Sequence, residues 1–206
     1  MTAQSTLSAG EALARLQAGN ACYLAGLFSN ELKSGHCQEL LQGQHPFAAV
    51  LCCSDSRVPP ELLFGQGLGE LFVVRNAGNV LDDVVLGSLE YAVEHLGVRL
   101  IVVLGHERCG AITAAVTASD AAAGHLGSIM RAIRPALEKA KAQLSDQAAE
   151  DTVDALVERT VDAHVVEIVA SLVREPIIAG AMAHHHLRVV GMRYNLHDGA
   201  VSTITT

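Results

Sequence analysis

Three residues of this chain offer the donor atoms of a soft metal site. Cys53 closes the apolar run Phe47–Cys53, and His106 and Cys109 follow a second apolar run ending at Leu104. A His-x-x-Cys spacing, in a turn that enters a helix, lets both side chains point at one ion. A thiolate from a neighbouring strand can complete the set. Two sulfurs and one imidazole nitrogen suit Zn2+, and three protein ligands are the pattern used where a fourth position stays open for water. Either motif alone reads as a buried thiol or a hydrogen-bonded core histidine. Two such motifs at neighbouring strand ends, each with polar residues beside it, favour the metal. Asp55 and Arg57 follow Cys53 closely, and on an extended segment they share a face. A carboxylate there can bind a metal or accept a hydrogen bond from hydroxide held on it, and an Arg can hold it off the metal through a bidentate pair. The plainer alternative is a loop salt bridge, worth under about 1 kcal/mol.

Placing these residues at one edge requires strands that run the same way. The run Phe47–Cys53 reads as a strand buried on both faces, Leu71–Val74 as a second buried strand and Arg99–Leu104 as a third apolar strand. Ser8 and Glu11 predict a capping box opening a helix over 9–18, and residues 19–46 read as a mixed connector. A helical turn is expected at 60–64 after Pro59-Pro60, and a helix over Asp82–Leu96 with Gly97 as its stop. Helices are expected at about 110–122, 127–143 and 149–173, with a short one from Pro176. Leu187–Met192 and Ala200–Ile204 read as closing strands, with Asp198-Gly199 as a hairpin signal. Strands alternating with helices predict an α/β fold: a mostly parallel central sheet with an antiparallel C-terminal edge, flanked by helices. Ligands of such sheets sit beyond the carboxyl ends of the strands, where both metal motifs fall. The reading is of one domain over 1–206, with 1–46 as an N-terminal helical arm.

Composition agrees and excludes several functions. Half of the 206 residues are hydrophobic and the mean hydropathy is +0.31, which excludes intrinsic disorder. Aromatic residues make up 3 % with no Trp, so the core must be built from Ala, Val, Leu and Ile. The formal net charge is −8 and no basic run occurs, which speaks against a nucleic-acid groove. No secretory leader and no membrane span are read. The five cysteines are an odd number, which fits a reducing, cytoplasmic setting in which some thiols bind metal. Cys52, adjacent to Cys53, faces the other way and reads as a small core residue; Cys22 and Cys37 read as structural. His184-His185-His186 reads as a solvated helix end, and Glu107 and Arg108 as orienting or surface residues.

Three segments then stand out together: Cys53-Ser54-Asp55-Ser56-Arg57-Val58-Pro59, Phe72-Val73-Val74-Arg75-Asn76-Ala77-Gly78-Asn79 and Gly105-His106-Glu107-Arg108-Cys109-Gly110. In this order they resemble the β-class carbonic anhydrases, in the plant-like, open-site branch, and the similarity runs in register from about Gly10 to Thr203. The resemblance implies a zinc enzyme that reversibly hydrates CO2 to bicarbonate and a proton, with one Zn2+ per chain on Cys53, His106 and Cys109. It implies that Asp55 and Arg57 gate and orient the fourth ligand, and that Gln44 is a substrate-side amide donor. Phe72, Ala77 and Tyr91 match a pocket wall that the family completes across a dimer interface. Two positions depart from the common pattern: Gly65 stands where many relatives are acidic, and Cys52 where a smaller residue is commonest.

Two alternatives remain at this point: hydrolysis of a CO2 analogue (carbonyl sulfide or carbon disulfide), and a zinc-bound structural or interaction subunit without turnover. A homodimer or a higher multiple is expected, because the N-terminal helix has little of its own core to bury against. One branch of the family binds inhibitory bicarbonate beside a Trp, an Arg and a Tyr. The last two match Arg75 and Tyr194, but Val50 stands at the Trp position. The expectation is therefore an open site, with Asp55 paired to Arg57 and no such pocket.

Overall fold

The structure, a computed structural model, describes residues 7–27, 40–118, 124–144, 152–184 and 186–206. The expectations for Cys37 and His185, and for the ends of two helices at 119–122 and 149–151, lie outside these residues. A first helix, α1 (Ala9–Leu24), leads into β1 (Ala48–Cys53), the single turn α2 (Pro60–Leu63), β2 (Leu71–Asn76) and a 3₁₀ turn at Ala77–Asn79. There follow α3 (Asp83–Glu94), β3 (Leu100–His106), α4 (Gly110–Thr117), α5 (Leu126–Leu144), α6 (Val153–Leu172) and α7 (Pro176–Ala183). The chain closes with β4 (Arg188–Tyr194) and β5 (Val201–Thr205). Among the described residues no helix is long and apolar enough to cross a membrane.

The sheet order is β2-β1-β3-β4-β5; the first three pairings are parallel and β4–β5 is antiparallel. This is the expected class. Every residue of β1 and β3 is buried, which explains why both appear in the sequence as unbroken apolar runs. Alternation splits them between two faces. Ala48, Val50 and Cys52 pack with Leu100, Val102, Leu104 and the α1 residues Ala12 and Leu16. Ala49 and Leu51 pack with Ile101 and Val103 on the opposite side, against α3, α6 and α7. Cys52 thus joins the core, as expected, and burial pushes its thiol up to about 12. Gly105 brings α6 close: a Cβ there would lie 2.6 Å from Val165 Cγ2, and one at Gly191 would lie 2.7 Å from Val165 Cγ1. Val165 therefore seats α6 directly on β3 and β4.

The N-terminal helix differs from the expectation in length and in role. Its capping box is present: Ser8 Oγ accepts from the Glu11 N–H, and the Glu11 carboxylate accepts from the Ser8 N–H at 2.8 Å. It does not stop near residue 18, because Gly19-Asn20 is a contact with the body of the fold and not a terminator. Asn20 is buried. Its Nδ2 donates to the carbonyls of Leu63 and Gly199 at 3.0 and 3.1 Å, and its Oδ1 accepts from the Val201 N–H at 2.9 Å. Leu16 and Ala12 are fully buried, so the helix has a core within its own chain after all. Cys22, read as structural, is exposed, since it lies off the inward stripe of Ala12, Leu16 and Asn20. His184 and His186 sit exposed after α7, as expected.

Asn20 joins three backbone groups from two distant segments, and none of these is replaced if the side chain is cut back. Asn20→Ala should therefore cost about 2–3 kcal/mol in urea unfolding. A loss below about 0.5 kcal/mol would show that α1 is held by apolar contacts alone.

Candidate metal centre

With strand order 2-1-3-4-5 the connections diverge between β1 and β3, and the crevice beyond their carboxyl ends is where such sheets hold ligands. Cys53 is the last residue of β1 and His106 the last of β3. Cys109 is the N-cap of α4, one tight turn later. That turn puts Arg108 at φ +49°, a left-handed conformation for a residue with a side chain. The turn is held from outside: Arg108 N–H donates to Glu158 at 3.0 Å, and the Glu107 carboxylate accepts from Leu196 N–H at 3.0 Å. Arg193 donates to Glu107, Glu158 and Asp162 together, tying the turn to α6. Glu107 and Arg108 thus orient the turn, as the sequence reading expected.

One donor atom from each of Cys53, His106 and Cys109 lies within 4.8 Å of the others, and all three residues are buried. The Cys53 and Cys109 sulfurs are 4.0 Å apart. Cys53 Sγ also receives the Gly78 N–H at 3.4 Å. The Cys53 thiol is pushed far down, first by the hydrogen bond with Cys109, and further by the nearby His106 ring and the backbone groups of Gly78 and Asp55. Cys109 is pushed up, first because its proton is held in the hydrogen bond with Cys53, then by burial and by the charge on that neighbouring sulfur. His106 Nδ1 contacts the Glu107 carbonyl at 2.8 Å, which fixes the ring, and Nε2 is buried with no partner. A buried ring nitrogen without a partner, facing two sulfurs that cannot both ionise unaided, fits a thiophilic dication.

Beside this cluster stands the carboxylate pair. Asp55 Oδ1 accepts from Arg57 Nε and from the Arg57 backbone N–H, both at 2.9 Å, and Oδ2 accepts from Arg57 Nη2 at 2.7 Å. The segment is a turn and not the expected extended stretch, because a carboxylate that accepts from the backbone two residues on closes an Asx turn. The expected pairing is nonetheless made. The Arg57 guanidinium holds the Asp55 carboxyl well below the usual carboxylate range. Arg75 fastens the turn from β2, donating to the Cys53 carbonyl at 3.0 Å and the Asp55 carbonyl at 2.7 Å. Val50 is buried among apolar neighbours, and the Tyr194 hydroxyl lies 3.4 Å from that of Tyr23.

The remaining sequence-predicted residues do not all gather here. Ala77 opens the 3₁₀ turn whose next residue touches Cys53. Phe72 pairs with Ala49 near the start of β1, and its ring lies 6.1 Å from that of Tyr91. Gln44 is exposed and precedes β1. At roughly 3.3 Å per residue the strand alone puts about 16 Å between its two ends, so Gln44 does not reach Cys53 within one chain. A cavity of about 930 Å³ runs from Arg57 past Arg108 and Glu158 to His197, leaving this side of the site open. Sequence reasoning missed His164 and Arg193. Only His164 carried a signal: it falls on the buried stripe of α6, where a polar ring must find a partner.

The comparisons with known proteins agree with this geometry. A family model described as carbonic anhydrase matches residues 48–201. "Carbonic anhydrase 2" of Mycobacterium tuberculosis (strain CDC 1551 / Oshkosh) is 40 % identical over 189 residues, covering 89 % of this chain and 87 % of the relative. The carbonic anhydrase of Mycolicibacterium smegmatis is 44 % identical over 166 residues, covering 79 % and 76 %. Among solved structures, a tetrameric β-carbonic anhydrase from Sordaria macrospora superposes with a TM-score of 0.75 at 28 % identity, covering 83 % of this chain and 86 % of that one. The Coccomyxa β-carbonic anhydrase in complex with acetazolamide also gives 0.75, at 31 % identity, covering 83 % and 77 %.

The donor set leads to a direct expectation. The protein should carry one zinc per chain by elemental analysis, and Cys109→Ala should lose most of it, since one thiolate and one imidazole hold the ion poorly. Full retention of zinc in that variant would remove Cys109 from the ligand set.

Proposed function

Because the chain belongs to the β-carbonic anhydrase family, whose general activity is the hydration of CO2, we propose that it interconverts CO2 and bicarbonate on a Zn2+ held by Cys53, His106 and Cys109. The observation that carries the reading is the partnerless His106 Nε2 facing two buried sulfurs, with the Asp55–Arg57 pair alongside. Zinc, when bound there, supplies the Lewis acidity that makes water a competent nucleophile near neutral pH.

The chain's own residues supply position and charge. Asp55 is ionised and acceptor-only, so it can orient the attacking water by accepting its hydrogen and leaving a lone pair aimed at CO2. Arg57 engages both Asp55 oxygens and so keeps the carboxylate from acting as a ligand itself. A purely structural Cys2His site has no use for that pair, and the non-catalytic alternative also conflicts with membership of an enzyme family. Buried residues around the ligands, among them Val80, Ile112, Ile133 and Val157, keep the surroundings apolar, which suits an uncharged substrate.

The reading includes a second copy of the chain. Gln44, Phe72 and Tyr91 lie away from their own Cys53, so their expected roles as amide donor and pocket wall fit a dimer in which each chain completes its partner's site. A reducing, cytoplasmic setting belongs to the same reading, as it keeps Cys53 and Cys109 free to ligate.

Two measurements check these roles. Asp55→Asn and Arg57→Ala should keep zinc and lose about 100-fold in kcat/KM for CO2 hydration by stopped flow, the scale of a misplaced reacting group. Parent-like turnover in either would end the orienting role, and faster turnover of carbonyl sulfide or carbon disulfide than of CO2 would change the substrate. Mixing Gln44→Ala with Cys109→Ala should restore activity that neither variant has alone, since one site in each mixed dimer then has intact ligands and an intact Gln44. Absence of recovery, despite exchange of subunits, would place Gln44 outside the partner's site.

A further inference from the structure

His164 belongs to no motif, and nothing above uses it. It is 3 % exposed, on the stripe of α6 that also buries Val157, Val161, Val165 and Ile168. Its Nε2 lies 2.9 Å from the Gly78 carbonyl oxygen. A carbonyl can only accept, so the ring proton is on Nε2. Burial pushes the ring toward its neutral form.

Gly78 is the residue whose N–H reaches Cys53 Sγ. It has φ +75°, and a Cβ there would lie 3.0 Å from Ala111 Cβ and 3.2 Å from Ile133 Cδ1, so the turn is wedged between α4 and α5. The bond it accepts and the bond it donates lie on successive peptide planes. The link between them is mechanical: the two planes share Gly78, whose rotation is already confined by Ala111 and Ile133, so holding the carbonyl helps hold the direction of the N–H. The anchor itself is firm, because the neighbouring Val165 seats α6 against Gly105 and Gly191.

The geometry points to His164 as a positioning residue for the metal centre: by holding the Gly78 carbonyl it aims the Gly78 N–H at Cys53 Sγ and tempers that sulfur as a ligand. A hydrogen bond donated to a ligand sulfur withdraws charge from it, and partners of this kind tune both affinity and electronic character of a site. The inference rests on the reading of Cys53, His106 and Cys109 as a metal site, and adds a residue from a helix that carries no ligand.

The test compares the parent with His164→Leu, His164→Gln and Ile168→Ala, each loaded with cobalt(II) and, separately, with zinc. In His164→Leu the thiolate-to-cobalt charge-transfer band should move to lower energy, and zinc affinity by chelator competition should fall about tenfold. His164→Gln keeps an amide donor of similar reach and should stay close to the parent in both. Ile168→Ala hollows the core one turn further along α6, so it should melt earlier while keeping the parent band. A parent-like band and affinity in His164→Leu would overturn the proposal, as would an equal band shift in Ile168→Ala. Should His164→Leu fail to fold, the parent supplies a second test. With NMR-active cadmium bound, the Gly78 amide proton should couple to the metal through Cys53 Sγ, and absence of that coupling would overturn the proposal. A parent that takes up neither cobalt nor zinc would overturn the metal reading and this inference with it; the parent's own spectrum separates the two failures.

Discussion

Two buried sulfurs 4.0 Å apart can hold one negative charge between them at little cost, but not two. That constraint organises the carboxyl edge of the sheet. With Cys109 protonated and donating, Cys53 ionises readily; removing the second proton needs a positive charge at the same place. Backbone N–H groups turned toward the cluster are of matching sign: that of Gly78, and those of Ala111 and Ile112 at the start of α4, which favour a Cys109 thiolate. Asp55, beside the cluster, is tied to Arg57 and adds little net charge. The site is thus prepared for a cation by its surroundings as well as by its ligands.

Sheet topology supplies the geometry. Cys53 and His106 are far apart in sequence, and they meet because β1 and β3 are adjacent and parallel, with both chains leaving the sheet at the same edge. Parallel strands must be joined by crossovers, so α2 and β2, the 3₁₀ turn and α3 all lie between the two ligands. That intervening segment returns to the site through Arg75 at the end of β2 and Gly78 in the turn after it. The side chains that brace the turns around the cluster come from more distant chain still: Glu158, Asp162 and His164 from α6, and Arg193 from β4.

The sheet and the Cys-His-Cys group were legible because their signals are local. Unbroken apolar runs specify strands covered on both faces, and Cys53, His106 and Cys109 lie where those runs end. The bidentate partnership of Asp55 and Arg57 could be read from side-chain types two positions apart. Its backbone could not, since an Asx turn and an extended segment offer the same pair. The role of Asn20 was not legible, because its three partners are contributed by Leu63, Gly199 and Val201, which no local pattern joins to it. Gln44 was legible as a residue type, but its distance from Cys53 follows only from the direction of β1. His164 shows the same limit: the helical stripe marks it as buried, whereas the carbonyl it meets belongs to a turn more than eighty residues away.

The seat of Val165 on Gly105 and Gly191 also bears on how such a chain can diverge. Those three positions form one interlocked unit, since a Cβ on either glycine meets a Val165 methyl well inside van der Waals distance. Drift on the exposed faces of α1 or α5 is free to proceed one substitution at a time. Here, a side chain gained at either glycine while Val165 is in place would push α6 from the sheet and shift His164 and the carboxylates of Glu158 and Asp162 with it. Lineages descending from this chain should change the three positions in concert or leave them alone, so the spacing between sheet and helix is inherited as a block.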